Sequence, residues 1–177
     1  MWLTGRQSKR CHLLDDEKMA DVVRILDYSL QKADRKYGKY EGIVYRKGFF
    51  NPVTDSQYYS SSINPASAVL HLGKTTPAHD NPYSIIKLKN GHNIYKFQKD
   101  TNSSVSGQFA EREQEILIDR KSRFRLIPPS KYTDEERLLK KSFLNNFVTI
   151  DTSDKSQREK IDMYNSLAGY ISVWEEI

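Results

Sequence analysis

Two glutamates, Glu113 and Glu115, stand one residue apart in a run of strand-forming residues at 113–118. Side chains alternate across a strand, so this run predicts both carboxylates on one face, about 7 Å apart. Like charges placed in this way repel, and a sheet built for stability alone seldom keeps both. Such a pair can stabilise positive charge and move a proton, whereas the alternative is an exposed edge strand whose acidic residues discourage aggregation.

An arginine and a serine cluster precede this pair in the sequence. Arg46 follows Tyr45 at the end of a predicted strand, 42–46, where its guanidinium can hold a phosphate or carboxylate through two parallel hydrogen bonds. Three serines at 60–62 follow a second predicted strand, and their hydroxyls can orient a carboxylate and brace a cofactor pocket. Taken singly, the arginine also fits an exposed strand position, and the serines also fit a turn that caps the next helix.

The order of these three segments along the chain resembles the arginine-specific mono-ADP-ribosyltransferase toxins and effectors. In that family an aromatic-Arg motif, an S-T-S motif and an E-x-E motif follow one another. Here the corresponding segments are Tyr45-Arg46, Ser60-Ser61-Ser62 and Glu113-Gln-Glu115. The resemblance covers about residues 40–127, with similar stretches continuing through Ala68 and through Leu126.

The sequence departs from the family at three places. Ser61 replaces the usual threonine and keeps the hydroxyl. Lys47 stands where the family often has glycine, and Val69-Leu-His71-Leu stands where the family often has a phenylalanine that stacks on nicotinamide.

The resemblance implies that NAD is the co-substrate and that a protein arginine is the acceptor. Glu115 is then the catalytic residue at the ribose 2′-hydroxyl, and Ser60 orients it through a hydrogen bond. Glu113 has a separate catalytic and substrate-binding role, which is to position the acceptor guanidinium and remove a proton from it. The residues that the resemblance assigns to the NAD site are Arg46, which would hold a phosphate, with Tyr45, Ser60, Ser61 and Ser62.

Phe109 lies in the predicted polar loop that precedes the glutamate pair, and it is a candidate contact to the target protein. A large aromatic side chain in such a loop supplies apolar contact area to a partner. A partly buried loop anchor is the alternative for the same residue.

The predicted elements that position these residues run in the order helix, short strands, then helices, which is an α+β arrangement. Helices are predicted at 15–37, 65–72, from Thr133 onward and at 154–175, and strands at 42–46, 57–60, 83–88, 93–97, 113–118 and 122–127. The resemblance implies an ADP-ribosyltransferase-like mixed β-sheet core with an N-terminal helix and C-terminal helices. We therefore expect a single domain over 1–177, with its core at about 15–127 and a helical C-terminal extension at 128–177.

Composition narrows the class of protein further. No apolar run approaches the roughly 20 residues that span a bilayer, and residues 1–10 contain no apolar segment of a Sec signal peptide. We therefore expect the protein in the cytosol, or secreted into a target or host cell by a route without such a peptide. Four dispersed histidines and the single cysteine, Cys11, favour no metal site, and no glycine-rich phosphate-binding motif is present.

The 28 basic residues exceed the 23 acidic residues, which gives a net charge of +5. They are scattered along the chain, so an ordinary solvated surface is favoured over a nucleic-acid interface. Two alternatives to the main hypothesis stay open. One is a protein of the same fold that mainly hydrolyses NAD or modifies a non-arginine acceptor. The other is a basic module that binds nucleic acid or protein, in which the glutamate pair is accidental.

Overall fold

The computed structural model of the protein describes residues 16–52, 57–70, 77–101, 113–146 and 156–177. Within these ranges the chain forms five α-helices and six strands. The helices are α1 (Asp16–Tyr37), α2 (Pro65–Leu70), α3 (Ile94–Thr101), α4 (Asp134–Asn145) and α5 (Gln157–Gly169). The strands are β1 (Lys39–Lys47), β2 (Tyr59–Ser62), β3 (Tyr83–His92), β4 (Glu115–Ile118), β5 (Phe124–Ile127) and β6 (Ile171–Glu176).

The strands form one sheet in the order β1-β2-β4-β3-β6-β5, and β3 also pairs with β1. These pairings close β1, β2, β4 and β3 into a small four-stranded ring. Paired strands are antiparallel except β3 and β6, which run parallel with Tyr83 opposite Ile171. The predicted α+β class with a mixed sheet is confirmed, and the ring places the serine strand β2 beside the glutamate strand β4.

Alternation along the strands separates two apolar clusters. The first draws buried residues from all four ring strands, which places it inside the ring: Val44, Tyr59, Ile86, Leu88, Ile116 and Ile118. The second lies on the other face of β3 and β6, where Tyr83, Ile85 and Val173 pack against Phe143 and Leu144 of α4. Each fully buried side chain of this size contributes about 1.5–3 kcal/mol, so the two clusters fix the positions of the strands.

Local signals explain where three helices begin or end. Gly38, with a φ of +73°, ends α1 as predicted, and its N–H donates to the carbonyl of Asp34 over 2.9 Å. The side-chain oxygen of Asn64 accepts from the N–H of Ala66 over 2.9 Å and so caps α2. Thr133 and Glu136 form the predicted capping box at the start of α4.

The predicted strand at 93–97 is wrong, because this segment begins helix α3. Ile94, Tyr95 and Gln98 are half-buried while Lys96 and Lys99 are exposed, which is the spacing of one helical face. The strand-forming character of Ile94 and Tyr95 is overridden by packing on this face.

The predicted helix at 154–175 is correct only for its middle part, because α5 ends at Gly169 and Ile171 begins strand β6. Ile171 and Val173 are buried and Ser172 is half-buried, which is the alternation of a strand. Since β6 lies between β3 and β5, residues 128–177 do not form a purely helical extension outside the core. None of the helices in the described ranges has the length and apolar composition needed to cross a membrane.

Candidate active site

Ser60 and Glu115 lie on adjacent antiparallel strands and are joined by a hydrogen bond. Ser62 pairs directly with Glu115, so Ser60 is the diagonal neighbour of Glu115 on the same face of the sheet. The Ser60 Oγ donates to Glu115 Oε1 over 2.7 Å, across 55 positions of sequence. The hydrogen bond expected between these two side chains is therefore present, and it fixes one oxygen of the carboxylate.

The other two serines of the cluster use their hydroxyls on the backbone. Ser61 is buried inside the ring and donates to the carbonyl of Ile116 over 2.8 Å. Ser62 is also buried, donates to the carbonyl of Glu113 and accepts from the N–H of Asn64. Both hydroxyls therefore brace β2 against β4 and the segment before it, whereas the resemblance implied that they line the NAD site.

Glu113 lies outside the strand, so the prediction that Glu113 and Glu115 alternate on one strand face is wrong. Strand β4 begins at Glu115, and the residue between the two glutamates, Gln114, has a φ of +44°. Few residues other than glycine adopt this left-handed backbone conformation. The turn is held to the end of β2, since Ile63 donates its N–H to the carbonyl of Gln114 over 3.2 Å. Glu113 is half-buried at a fixed backbone position next to the site.

Arg46 reaches the same part of the sheet from β1. Its Nη1 donates to the carbonyl of Ser60 over 2.7 Å, and its guanidinium lies 4.8 Å from the ring centroid of Tyr59. Because Tyr45 pairs with Ser62, the pleat directs Arg46 to the side of Tyr59, opposite to the face that carries Ser60 Oγ and Glu115. Burial lowers the pKa of the Arg46 guanidinium, and its buried Nε has no hydrogen-bond partner within the described ranges.

Tyr45 packs against helix α4. Its ring stacks on that of Phe143 with centroids 4.9 Å apart and an angle of 27° between the planes. Burial raises the pKa of its hydroxyl. The ring thus lies in the contact between β1 and α4, whereas the resemblance implied a position at the NAD site.

Gln98 is a site neighbour that the sequence analysis missed. Its Nε2 donates to Glu115 Oε2 over 3.4 Å, from the last turn of α3. The misassigned strand at 93–97 concealed this contact, because only a helix brings Gln98 to the face of Ile94 and Tyr95. Phe109, the predicted contact to the target protein, lies outside the described residues.

A second polar cluster attaches helix α1 to the far end of β4. Asp27 accepts hydrogen bonds from Tyr58 and from Arg120, the latter over 2.8 Å between Nη2 and Oδ2. Arg120, and then Tyr58, hold the pKa of Asp27 down at about 2. His92 is buried, with Nδ1 3.0 Å from both carboxylate oxygens of Asp34. The cluster therefore ties α1 to the residues that precede β2, follow β4 and end β3.

In the described part of the chain, no group of three or more His, Cys, Asp or Glu side chains is arranged to hold a metal ion. Comparison of the sequence and the structure with protein-family models, curated proteins and solved structures gave no match. What supports a function for the site is therefore the geometry of its residues and the order of the three motifs.

Proposed function

We propose that the protein is an NAD-dependent mono-ADP-ribosyltransferase that transfers ADP-ribose to an arginine of a target protein, as a bacterial toxin or secreted effector. The observation that carries this proposal is the hydrogen bond between Ser60 Oγ and Glu115 Oε1. Two residues of separate motifs, far apart in sequence, meet in the pairing that the resemblance to this enzyme class requires. A serine that orients a half-buried glutamate suits a carboxylate that must act in one direction.

The chemistry needs such a carboxylate. When the bond between nicotinamide and the ribose C1′ breaks, its electron pair leaves with nicotinamide and positive charge develops on the ribose. Glu115 would accept a hydrogen bond from the ribose 2′-hydroxyl, and this bond strengthens as the charge grows, as in glycosidases. The acceptor guanidinium nitrogen then bonds to C1′ and gives up a proton, for which Glu113 is the nearby base.

Arg46 has features that suit an anion-binding role. It is a cation without a carboxylate partner within the described ranges, and its Nε is an unused donor. A half-buried guanidinium with a buried, unused donor favours a phosphate that enters its surroundings. The Arg46 side chain and the Glu115 side chain lie on opposite faces of the sheet. An NAD molecule that contacts both would therefore have to pass around the end of β2 with its diphosphate.

A second candidate function is suggested by the position of Glu113. Because Glu113 precedes the left-handed residue Gln114 and is not on the strand, its carboxylate is not aligned with that of Glu115 by the pleat. Transfer to arginine needs the second carboxylate, whereas hydrolysis of NAD does not. The same site would then act mainly as an NAD glycohydrolase, or on an acceptor other than arginine.

Replacement of Glu115 by glutamine tests the proposal. We expect the purified wild-type protein to release nicotinamide from NAD, and to transfer label from labelled NAD to arginine side chains of a host-cell lysate, read by mass spectrometry. Glu115→Gln keeps the side-chain shape and removes the charge that stabilises the transition state, so kcat should fall at least about 100-fold. Glu175→Gln, at the surface partner of Arg125, is the matched control and should retain full activity.

Four outcomes decide between the functions. Full activity in Glu115→Gln, or no nicotinamide release by the folded wild-type protein, contradicts the proposal. Nicotinamide release without any labelled macromolecule supports the glycohydrolase. Label on lysine, cysteine or nucleic acid contradicts the arginine acceptor and leaves the transferase chemistry in place.

A further inference from the structure

Glu115 is contacted by a second side chain as well as by Ser60, and the two donors divide its oxygens. Oε1 accepts from Ser60 Oγ of β2 over 2.7 Å, and Oε2 accepts from Gln98 Nε2 of α3 over 3.4 Å. Each carboxylate oxygen has two acceptor positions, so one remains on each oxygen for a substrate hydroxyl. A carboxylate held at both oxygens has a fixed plane as well as a fixed position.

Both donors are neutral, and this has a chemical consequence. A hydroxyl and an amide orient the carboxylate without neutralising it, whereas a lysine or arginine ion pair would weaken its attraction for developing positive charge. No salt bridge to Glu115 is found among the described residues. The pair of donors therefore suits a carboxylate whose negative charge is needed for the reaction.

Helix α3 carries Gln98 to this position through contacts with the end of α1. The Asn93 side chain donates to the carbonyl of Gly38 over 2.9 Å at the start of α3. Near its end, Asp100 pairs with Lys36 over 3.2 Å, and the ring of Phe97 meets that of Tyr37 edge-on. Gln98 is thus placed from both ends of its helix, which is the arrangement expected of a residue that holds another in place.

We propose that Gln98 is a positioning residue for Glu115, holding Oε2 while Ser60 holds Oε1, so that the carboxylate plane is set for the ribose hydroxyl. This role rests on the proposed function. At 3.4 Å this hydrogen bond is longer than the usual range of about 2.7–3.2 Å, and hydrogen bonds at catalytic sites commonly tighten when the substrate binds. Gln98 acts through Glu115 and need not touch NAD.

Nuclear magnetic resonance tests the contact without any assay of activity. The side-chain amide signals of Gln98 should move as the pH is lowered and Glu115 takes up a proton, because the amide loses its charged acceptor. In Glu115→Gln this movement should disappear. Amide signals of Gln98 that do not follow pH, or that move equally in Glu115→Gln, overturn the proposal.

Kinetics then tests what the contact does. Gln98→Met has a similar length but no donor, so we expect kcat for nicotinamide release to fall about 10-fold to 100-fold, with the KM for NAD changed less than about 2-fold. Gln98→Glu has the same shape but repels Glu115, so its kcat should be lower still at neutral pH and recover partly as the pH falls. Lys96→Met, on the exposed side of the same helix, should match the wild type.

The outcomes separate this proposal from the proposed function. If the wild type releases no nicotinamide while the Gln98 amide follows Glu115, the function fails and the contact stands. If the wild type is active and Gln98→Met is equally active, or loses only affinity for NAD, the positioning role fails and the function stands. A fall in kcat that Lys96→Met reproduces also overturns the positioning role.

Discussion

Arg46 joins two strands at the point where they separate. Strands β1 and β2 pair through Tyr45 and Ser62, and one step further the Arg46 side chain reaches the carbonyl of Ser60. That carbonyl belongs to the residue whose hydroxyl holds Glu115. Arg46 therefore has a structural task beside the proposed phosphate-binding task, and the two are separable by experiment.

Arg46→Ala should lower the free energy of unfolding by about 1–3 kcal/mol, because it leaves a half-buried carbonyl without its charged donor. If Arg46 also binds a phosphate, NAD affinity should fall in Arg46→Lys as well, since lysine keeps the charge but cannot form two parallel hydrogen bonds. Urea unfolding and calorimetric titration with NAD measure the two effects separately. Reduced stability with unchanged NAD affinity in both variants would show that Arg46 is only a strand bridge.

The variant Glu113→Gln tests whether the two glutamates have separate roles in the reaction. If it serves the acceptor, Glu113→Gln should lose transfer to arginine and keep measurable NAD hydrolysis, because water needs no base of that kind. Nicotinamide release and acceptor labelling are measured in parallel, with Glu115→Gln as the variant that loses both. An equal loss of the two activities in Glu113→Gln would contradict separate roles.

Part of the site was predictable from sequence, whereas the contact from Gln98 and the backbone turn at Gln114 were not. The contact between Ser60 and Glu115 was expected only from the resemblance, and it is present because β2 and β4 are neighbours in the sheet. The alignment of Glu113 with Glu115 failed because Gln114 adopts a left-handed backbone, which its residue type does not signal.

At the scale of elements, the closure of the four-stranded ring depends on Gly91. A Cβ at this position would lie 2.5 Å from Ile116 Cγ2 and 2.5 Å from Leu88 Cδ2, inside the packed ring. Glycine is therefore needed where β3 approaches β4, one residue before His92 pairs with Leu117. Ile116 directly follows Glu115, so ring closure and site geometry are coupled.

Gly91→Ala should lower the free energy of unfolding by about 1–3 kcal/mol, because the added methyl group overpacks the ring. Gly169→Ala is the matched control, since a Cβ there meets nothing within 4 Å. Urea unfolding of both variants checks the expectation. Equal urea midpoints for Gly91→Ala and the wild type would mean that the ring accommodates the added methyl group without loss of stability.

Elements with strong local signals were the predictable ones. Helix α1 has a continuous apolar stripe and a terminal glycine, and α4 has its capping box, so both begin or end where expected. The boundary signals beside α3 and β6 are weaker, a single Asn93 before the helix and a single Gly169 before the strand. The apolar spacing of α5 continues in register through Ile171 and Trp174, so the pattern alone did not reveal that the helix ends at Gly169.

At the scale of the molecule, two carboxylates with lowered pKa values make the fold sensitive to acid. The pKa of Asp27 is about 2, against an ordinary value of 3.8, and that of Glu136 is about 2, against 4.5. The main cause for Glu136 is the hydrogen bond from Lys87, which joins α4 to β3. A carboxylate whose pKa is lowered by folding stabilises the folded state at any pH above its ordinary pKa. This stability is lost as the pH falls from about 4.5 towards 2.

Glu136→Gln isolates the contribution of this pair, because glutamine can keep the capping box but carries no charge. At pH 7 the variant should unfold with a free energy lower by about 1.5–3 kcal/mol, and the difference should vanish near pH 2. Glu135→Gln is the control. The Glu135 side chain is exposed, and its 3.4 Å contact with Lys87 Nζ is longer than the contact of Glu136 with the same atom. Thermal unfolding between pH 7 and pH 2 measures both; a difference that stays constant across this range would contradict the assignment.

The position of β6 between β3 and β5 has a consequence during synthesis of the chain on the ribosome. In the described sheet β5 pairs with β6 alone, and Glu176 accepts hydrogen bonds from the backbone of Lys89 and Asn90 on β3. Translation adds about 5–20 residues per second, so the 43 residues between β5 and β6 (128–170) take about 2–9 seconds to emerge. During that interval the edges of β3 and β5 that later pair with β6 are unpaired, and they can pair with other chains. The speed at which the α4 and α5 region is translated sets the length of this interval.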